Sequence, residues 1–312
     1  MARSRKKGRD VDGVLVLDKP SGMTSNAALQ TIKHAFYARK AGHTGSLDPL
    51  ATGVLPLCFG QATRFSQFLL DADKAYETTI RLGVSTDSGD AEGKVLEESN
   101  VPDIDGASWE RLLDKFRGEV EQVPNMFSAI KVDGQPLYKL ARQGIEVERA
   151  PRQVTIHSLV LRGCKDDQLQ LSIRCSKGTY IRCLAQDIGE ALGCGAHVTQ
   201  LRRISSGPFS LDQAVSIDRV IDLAESRDFA ALAEHLLPVS SAVSSLPAVT
   251  LPHLSAHYLR QGQPVQVGGA PTDGMVRLYS ETEDAQVFIG VGEIDGDGLI
   301  APRRLLADAG SG

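Results

Sequence analysis

One carboxylate stands out by its surroundings. Asp48 lies within residues 41–56, AGHTGSLDPLATGVLP, among three glycines, two prolines and several small hydroxylic side chains. Glycine and proline fix tight, unusual backbone angles, so the segment reads as a rigid loop and not as helix or strand. A single acid on such a loop suits a positioned nucleophile better than a two-carboxylate acid/base pair. A lone Asp-Pro would do no more than begin a turn, so the other reactive side chains matter. Tyr180 and Arg182 follow Gly178 in a run that reads as a strand over residues 179–184. Period two would then put both side chains on one face. An aromatic ring beside a guanidinium can hold a flat base and anchor a carboxylate through a bidentate pair. A half-buried strand with a snorkelling arginine fits the same residues equally well. Tyr76 aligns with Ile80 and Leu82 on an apolar face, which by pattern alone is the place of a packing aromatic.

Other chemistries find no support. Cys194 and His197 have metal-ligand spacing, but no second Cys/His pair lies near them, so no zinc site is expected. His43, Ser46 and Asp48 do not resemble a hydrolase triad, and no G-x-S-x-G elbow occurs. Neither a P-loop nor a G-x-G-x-x-G fingerprint is present. No cofactor and no metal are expected, so the chemistry would use side chains alone.

The elements that would position these groups follow from periodicity. Residues 14–17 read as a buried strand that ends in the turn of residues 19–22. Thr24 or Ser25 can cap a helix whose apolar stripe is Ala28, Leu29, Ile32, Ala35 and Phe36. A strand is expected over 54–59, then a helix with Ala62, Phe65, Phe68 and Leu69 on one side, then an alternating strand over 75–82. Residues 85–93 form a polar turn with three acids, and a helix over 108–117 stops at Gly118. Residues 122–152 read as a long irregular excursion around a short helix at 137–142, and long irregular insertions are often functional. Strands are expected at 169–175 and 179–184, and a helix ends at Gly193. Residues 238–250 look like a linker to a small β-rich unit with strands near 276–279, 287–294 and 299–306.

Composition sets the frame. The chain has 312 residues, 42% of them hydrophobic, enough for one large domain plus a small one, or for two medium ones. No run of 18 apolar residues suggests a membrane span, and the basic start has no apolar segment after it to make a secretory signal. Five scattered cysteines suit a reducing cytosol better than a disulfide framework. The net charge of −5 is unevenly spread: from Thr250 onward eight acids face four bases, while residues 172–204 hold five bases against two acids. Such a basic patch can track a phosphate backbone, although a solvated face would have the same count.

At this point the residues resemble a known family. Gly42-His43-Thr44-Gly45-Ser46-Leu47-Asp48-Pro49-Leu50-Ala51-Thr52-Gly53 is similar to the active-site loop of the TruB family of tRNA pseudouridine synthases. The resemblance extends to residues 13–25, Lys74-Ala75-Tyr76, residues 175–182 and residues 195–203. The tail, with residues 290–294 and 301–305, resembles the family's PUA-type domain. The resemblance implies an α+β catalytic domain over 1–247, with a mixed, mostly antiparallel sheet flanked by helices, and a small β-rich PUA-like domain over 248–312. It implies isomerisation of uridine to pseudouridine at position 55 in the T loop of tRNA, on a flipped-out base. Asp48 would be the nucleophile and Arg182 its partner, keeping the carboxylate ionised. Tyr76 would stack on the base and help move a proton. Tyr180 and Leu201 would shape the pocket, His43 would sit where the RNA loop is splayed, and Lys19 would support the active-site loop. Residues 122–152 would grip RNA. The expected setting is a cytoplasmic monomer whose partner is tRNA.

Overall fold

The computed structural model describes residues 8–307 except 129, 133, 283 and 284. Ten strands form one large sheet. They are β1 (Gly13–Lys19), β2 (Ala41–His43), β3 (Thr52–Phe59), β4 (Lys74–Leu82), β5 (Gly118–Gln122), β6 (Arg152–Lys165), β7 (Gln168–Cys175), β8 (Ala196–Ser206), β9 (Phe209–Ser210) and β10 (Val215–Ser216). The order is β10-β1-β3-β8-β4-β7-β6-β5, with β2 on β3 and β9 on β8. Only β1–β10 and β3–β8 run parallel; the other pairings are antiparallel. The sheet is thus mixed and mostly antiparallel.

The period-two rule explains why β1 and β3 are apolar at nearly every position. Leu15, Leu17, Leu55, Leu57 and Phe59 point into the main core. Their neighbours Val14, Val16, Val54 and Cys58 point into a second cluster on the opposite face. A strand covered on both sides needs apolar residues on both sides. Four helices supply the main cover: α1 (Ser25–Ala35), α2 (Gly106–Asp114), α3 (Ile181–Leu192) and α4 (Ile217–Glu225). Thr24 caps α1 by accepting from the Ala27 amide at 3.1 Å, and Asp105 caps α2 through Ser108 N at 2.7 Å. Helix α2 runs from Gly106 to Asp114, two residues earlier at its start than the spacing predicts.

Two sequence expectations are overturned. Residues 179–184 are not a strand. Tyr180 is the last extended residue, and α3 begins at Ile181. The β-branched and aromatic types of Thr179, Tyr180 and Ile181 suggest a strand, but the spacing of Ile181, Leu184, Ala185 and Ile188 is helical, and all four are buried in the main core. Residues 238–250 are not a linker either. Val239–Val243 forms a 3₁₀ turn whose Ala242 and Val243 are buried with Ala62, Phe65 and Phe209, and Ala248–Leu251 is already a strand. Serine content masked an apolar spacing that packs.

The second, four-stranded sheet comprises β11 (Ala248–Leu251), β12 (Gly274–Glu281), β13 (Gln286–Ile294) and β14 (Ile300–Leu305), in sequence order. Its own core includes Val249, Leu251, Leu259, Val276 and Leu278. Val291, however, belongs to the cluster on the outer face of β1 and β3, and Phe288 packs on Phe65 with ring centroids 5.4 Å apart. Residues 122–152 carry a two-residue hairpin, Lys131–Val132 with Gln135–Pro136, and a helix at Leu137–Ala141. No helix among the described residues is long and apolar enough to cross a membrane.

Candidate active site

The Asp48 loop links β2 to β3 and is held from beneath at several points. Gly45 has φ of +95°, a left-handed value that glycine adopts without strain. The buried Ser25 hydroxyl accepts from Leu47 N at 2.7 Å and donates to Leu47 O at 3.0 Å. Gly22 N donates to Pro49 O at 2.8 Å, and Ala51 N to Asp48 O at 3.1 Å. Lys19, with no exposed surface, donates to the carbonyls of Pro20 (2.8 Å), Met23 (2.6 Å) and Pro49 (3.3 Å). Burial lowers its pKa to about 8, against the opposing pull of Asp48. Lys19 therefore ties the turn after β1 to the Asp48 loop and does not reach into the cavity.

These restraints leave the Asp48 side chain free of its own turn. Both its oxygens face Arg182: Oδ2 lies 2.9 Å from Nε and Oδ1 3.2 Å from Nη2. Arg182 is 5% exposed in its side chain and Asp48 40%, so the carboxylate opens to the cavity while the guanidinium lies behind it. Arg182 reaches this place from the first turn of α3. Its other contacts are the carbonyls of Ser88 (2.8 Å) and Phe127 (2.9 Å) and the buried carboxylate of Asp90 (3.6 Å). Asp90 in turn accepts from the Ser88 hydroxyl at 2.6 Å and Glu92 N at 3.1 Å.

Arg182 favours the ionised form of Asp48, the direction expected of it, but burial is the larger influence. Desolvation pushes its pKa above the ordinary 3.8, and Asp90 pushes the same way. Arg182 and Lys19 oppose the rise without cancelling it. A carboxylate stripped of water by its surroundings is a stronger base, and a readier nucleophile, than one in bulk solvent.

The cavity at Asp48 has a volume of about 560 Å³. Tyr76, Tyr180, Leu201, Arg182, Lys74 and Arg203 are among its lining residues. Tyr76 projects from β4 with only 8% of its surface exposed, and burial raises its phenol pKa. Tyr180 enters at the mouth of α3, where Gln122 clasps its backbone: Tyr180 N donates to Gln122 Oε1 at 2.9 Å, and Gln122 Nε2 to Tyr180 O at 3.2 Å. Leu201 comes from β8, opposite Thr78 of β4. Tyr180 and Arg182 thus meet at one cavity because both lie at a helix start, and not by alternation along a strand. His43 stands apart. It is half-buried on β2 opposite Leu57 and is not part of the cavity wall; burial, then Arg203, lowers its pKa.

Sequence reasoning did not single out Asp90, Lys74 or Arg203 as site residues. Asp90 sits in what reads as an ordinary acidic turn. Lys74 and Arg203 lie inside recognisable motifs, but only the pairing of β8 with β4 brings Arg203 opposite Tyr76. Aromatic rings, a partly desolvated carboxylate with a fixed guanidinium behind it, and several buried donors are the groups that nucleophilic attack on a flat, polar ring would call for.

Comparison with known proteins points the same way. A family model described as TruB family pseudouridylate synthase (N terminal domain) matches residues 33–181. Models described as tRNA pseudouridylate synthase B C-terminal domain and pseudouridine synthase II TruB, C-terminal, match residues 182–244 and 247–306. Similar curated proteins include tRNA pseudouridine synthase B of Coxiella burnetii (strain RSA 493 / Nine Mile phase I), 54% identical over 298 residues that cover 96% of each chain. The protein of the same name from Tolumonas auensis is 52% identical, over 99% of this chain and 96% of that one. Among solved structures, the crystal structure of a Cbf5–Nop10–Gar1 complex contains a chain with a TM-score of 0.72 and 25% identity, over 94% of this chain and 84% of that one. An H/ACA RNP bound to a substrate RNA containing 2′-deoxyuridine shares the fold, with a TM-score of 0.73 at 21% identity over 99% and 92% of the two chains.

Proposed function

The chain belongs to the TruB family of pseudouridylate synthases, and from that premise we propose that it converts uridine 55 in the T loop of tRNA to pseudouridine, with Asp48 as the nucleophile. The substrate class rests on the names of the relatives, which are tRNA pseudouridine synthases at 52–54% identity. The observation that carries the residue roles is the bidentate contact of Asp48 with Arg182 at the floor of a cavity walled by Tyr76, Tyr180 and Leu201.

The reaction exchanges the N1–C1′ bond of uridine for a C5–C1′ bond, with no net redox change. A uridine stacked inside an RNA loop cannot reach a carboxylate at the base of a cavity, so the nucleotide must be extruded. Tyr76 and Tyr180 offer aromatic surface to the extruded base, and such stacking is worth about 1–3 kcal/mol per base. Leu201 adds an apolar wall. Asp48 then engages the uridine covalently, the base turns, and its C5 faces C1′. Arg182 keeps the carboxylate aimed and stabilises its charge, while Lys19 stiffens the loop that carries it. Residues 122–152 supply Gln122 and Phe127 to the site and form an arm that grips the RNA. The unit that carries the small sheet, from Ala248 to Leu305, is the PUA-like domain of the protein.

Asp48→Asn tests the assignment, since an amide keeps the shape but is no nucleophile. The variant is expected to fold, to bind tRNA and to leave position 55 unmodified when pseudouridine is mapped in the product. Pseudouridine formed by the folded variant would remove Asp48 from the role. Product at another tRNA position, with 55 untouched, would overturn the site of modification.

A further inference from the structure

Helix α1 ends in a turn that exposes an aromatic ring. Phe36 turns inward onto Phe59, with ring centroids 5.1 Å apart, and Tyr37 turns outward with 53% of its surface exposed. Tyr37 lies in the left-handed region, at φ of +48°. Its amide donates to His34 O at 2.8 Å, and the Ala38 amide to Lys33 O at 3.0 Å. Glycine or asparagine takes such a place readily, whereas a bulky aromatic residue is an outlier there. Of the four non-glycine residues with positive φ among those described, Tyr37 is the only aromatic one. Strain kept at an exposed ring points to a use for that ring.

The surroundings of the ring are basic. The Tyr37 carbonyl accepts from Arg9 N at 2.7 Å, and Arg39 N donates to Arg9 O at 2.9 Å. Lys33 and Lys40 flank Tyr37 along the chain, and the residues before Gly8 include Arg3, Arg5, Lys6 and Lys7. Arg39 pairs with Asp10 at 2.9 Å, but Arg9, Lys33 and Lys40 form no ion pair with an acid among the described residues. A second exposed ring, Phe229, is already covered: the Arg9 guanidinium lies 5.4 Å from its centroid, and the acid Asp228 precedes it. Tyr37 is therefore the open ring among unpaired cations. That combination suits single-stranded nucleic acid, whose bases stack on aromatic faces while its phosphates meet lysine and arginine. We propose that Tyr37 is a stacking platform for an unpaired base of the bound RNA, outside the Asp48 cavity, with Arg9, Lys33 and Lys40 at the flanking phosphates.

The inference rests on the RNA substrate proposed above and adds a second contact to it. Tyr37 lies just before β2, whose last residue is His43, and Gly45 beyond it lines the cavity. From Tyr37 to His43 the extended chain spans at most about 20 Å. The spacing is fixed, because Ala41 pairs with Phe59 and Gly60 N donates to Lys40 O at 3.0 Å. An RNA whose target nucleotide enters the cavity thus has neighbouring nucleotides within reach of the platform. Drawing one base out of a stack leaves others without a partner, and a ring that catches one of them favours the opened RNA. Every base has a π-face, so this ring adds affinity without reading sequence. The choice of target stays with the cavity.

The test measures binding of an unmodified tRNA transcript by the full chain carrying Asp48→Asn, in which no turnover consumes the substrate. Tyr37→Phe keeps the ring. Tyr37→Asn removes it and puts at this φ a residue that accepts the left-handed region, so the fold is retained. Tyr37→Asn is expected to weaken binding roughly 5- to 150-fold, the range for one stacked base, and Tyr37→Phe by no more than about twofold. Lys40→Gln is expected to lower the slope of log Kd against log salt by about one, while Tyr37→Asn leaves the slope unchanged. Unweakened binding by Tyr37→Asn would overturn the proposal and leave the surface to a protein partner. Equal losses in Tyr37→Asn and Tyr37→Phe would overturn it too, since the hydroxyl and not the ring would then be the contact. An unchanged slope in Lys40→Gln would remove the phosphate contact. Pseudouridine is mapped separately in tRNA treated with the unaltered chain: its absence would sink the proposed activity and leave the comparison of affinities standing.

Discussion

The charge state of Asp48 is set by opposing influences of similar reach. Desolvation and the Asp90 carboxylate hold its pKa above 3.8, while Arg182 pulls it down. In the proposed role of Asp48 the active form is the carboxylate, so that proposal predicts loss of turnover as pH falls through this raised value. The acid limb of kcat/KM should therefore lie at higher pH than the ordinary 3.8 of an aspartate. Arg182→Lys keeps a positive charge but loses the planar fork that grips both Asp48 oxygens. It should move the acid limb further up and lower kcat, as read from single-turnover rates across pH. A limb that stays in place would mean that Arg182 does not tune the carboxylate. At this scale the sequence was informative where a residue's type and its chain neighbours carry the signal. Asp48 stands out because glycine and proline surround it within a few positions. Asp90 and Arg203 do not stand out, because their importance lies in what distant strands bring beside them, and an acidic turn or a basic pair looks the same in any surface loop.

The elements matter through how closely they approach. Gly53 lies where β3 runs parallel to β8, opposite Arg203. Its φ is +100°, and a Cβ there would overlap the carbonyl oxygen of Arg203 and crowd its amide. Gly53→Ala must push β8 away, taking with it Arg203, whose Nη2 donates to Gly45 O at 3.0 Å. Left-handed strain alone costs about 1–3 kcal/mol. Displacing the loop that aims Asp48 by an ångström can cost roughly 100-fold in rate. Thermal denaturation and single-turnover kinetics should show both losses together. A variant that is destabilised but fully active would mean that the loop is not held through Arg203. The strands β1, β3, β4 and β7 could be read from alternation or from continuous apolar runs, because their side chains repeat every two residues over a useful length. The start of α3 could not. It follows directly on Thr179 and Tyr180 and opens with Ile181, residues whose β-branched and aromatic types favour extended chain, and the burial of Leu184, Ala185 and Ile188 against the sheet decides for helix.

At the scale of the whole molecule, the small sheet and the large one share a cluster. Val14, Val16 and Val54 present one face of β1 and β3 outward, and Ala62, Phe65, Val243 and Val291 cover it. The same strands bury Leu15, Leu17, Leu55 and Leu57 on the side that supports the Asp48 loop. A linker in residues 238–250 would have left the small sheet independent of this core. The observed 3₁₀ turn instead fills the seam, and this shared packing predicts that stability on the two sides is coupled. Val291→Ala removes two buried methyl groups from that seam and should cost about 2 kcal/mol, transfer and cavity terms together. If the two sheets unfold as one unit, the variant lowers a single transition that reports loss of both. A calorimetric trace in which the variant melts early in a separate step, while the large sheet keeps its unaltered midpoint, would show the seam to be a contact between independent units. The same coupling explains why Val291 lies in the small sheet yet is as fully buried as the strand residues it covers: its packing partners belong to the sheet that carries the cavity.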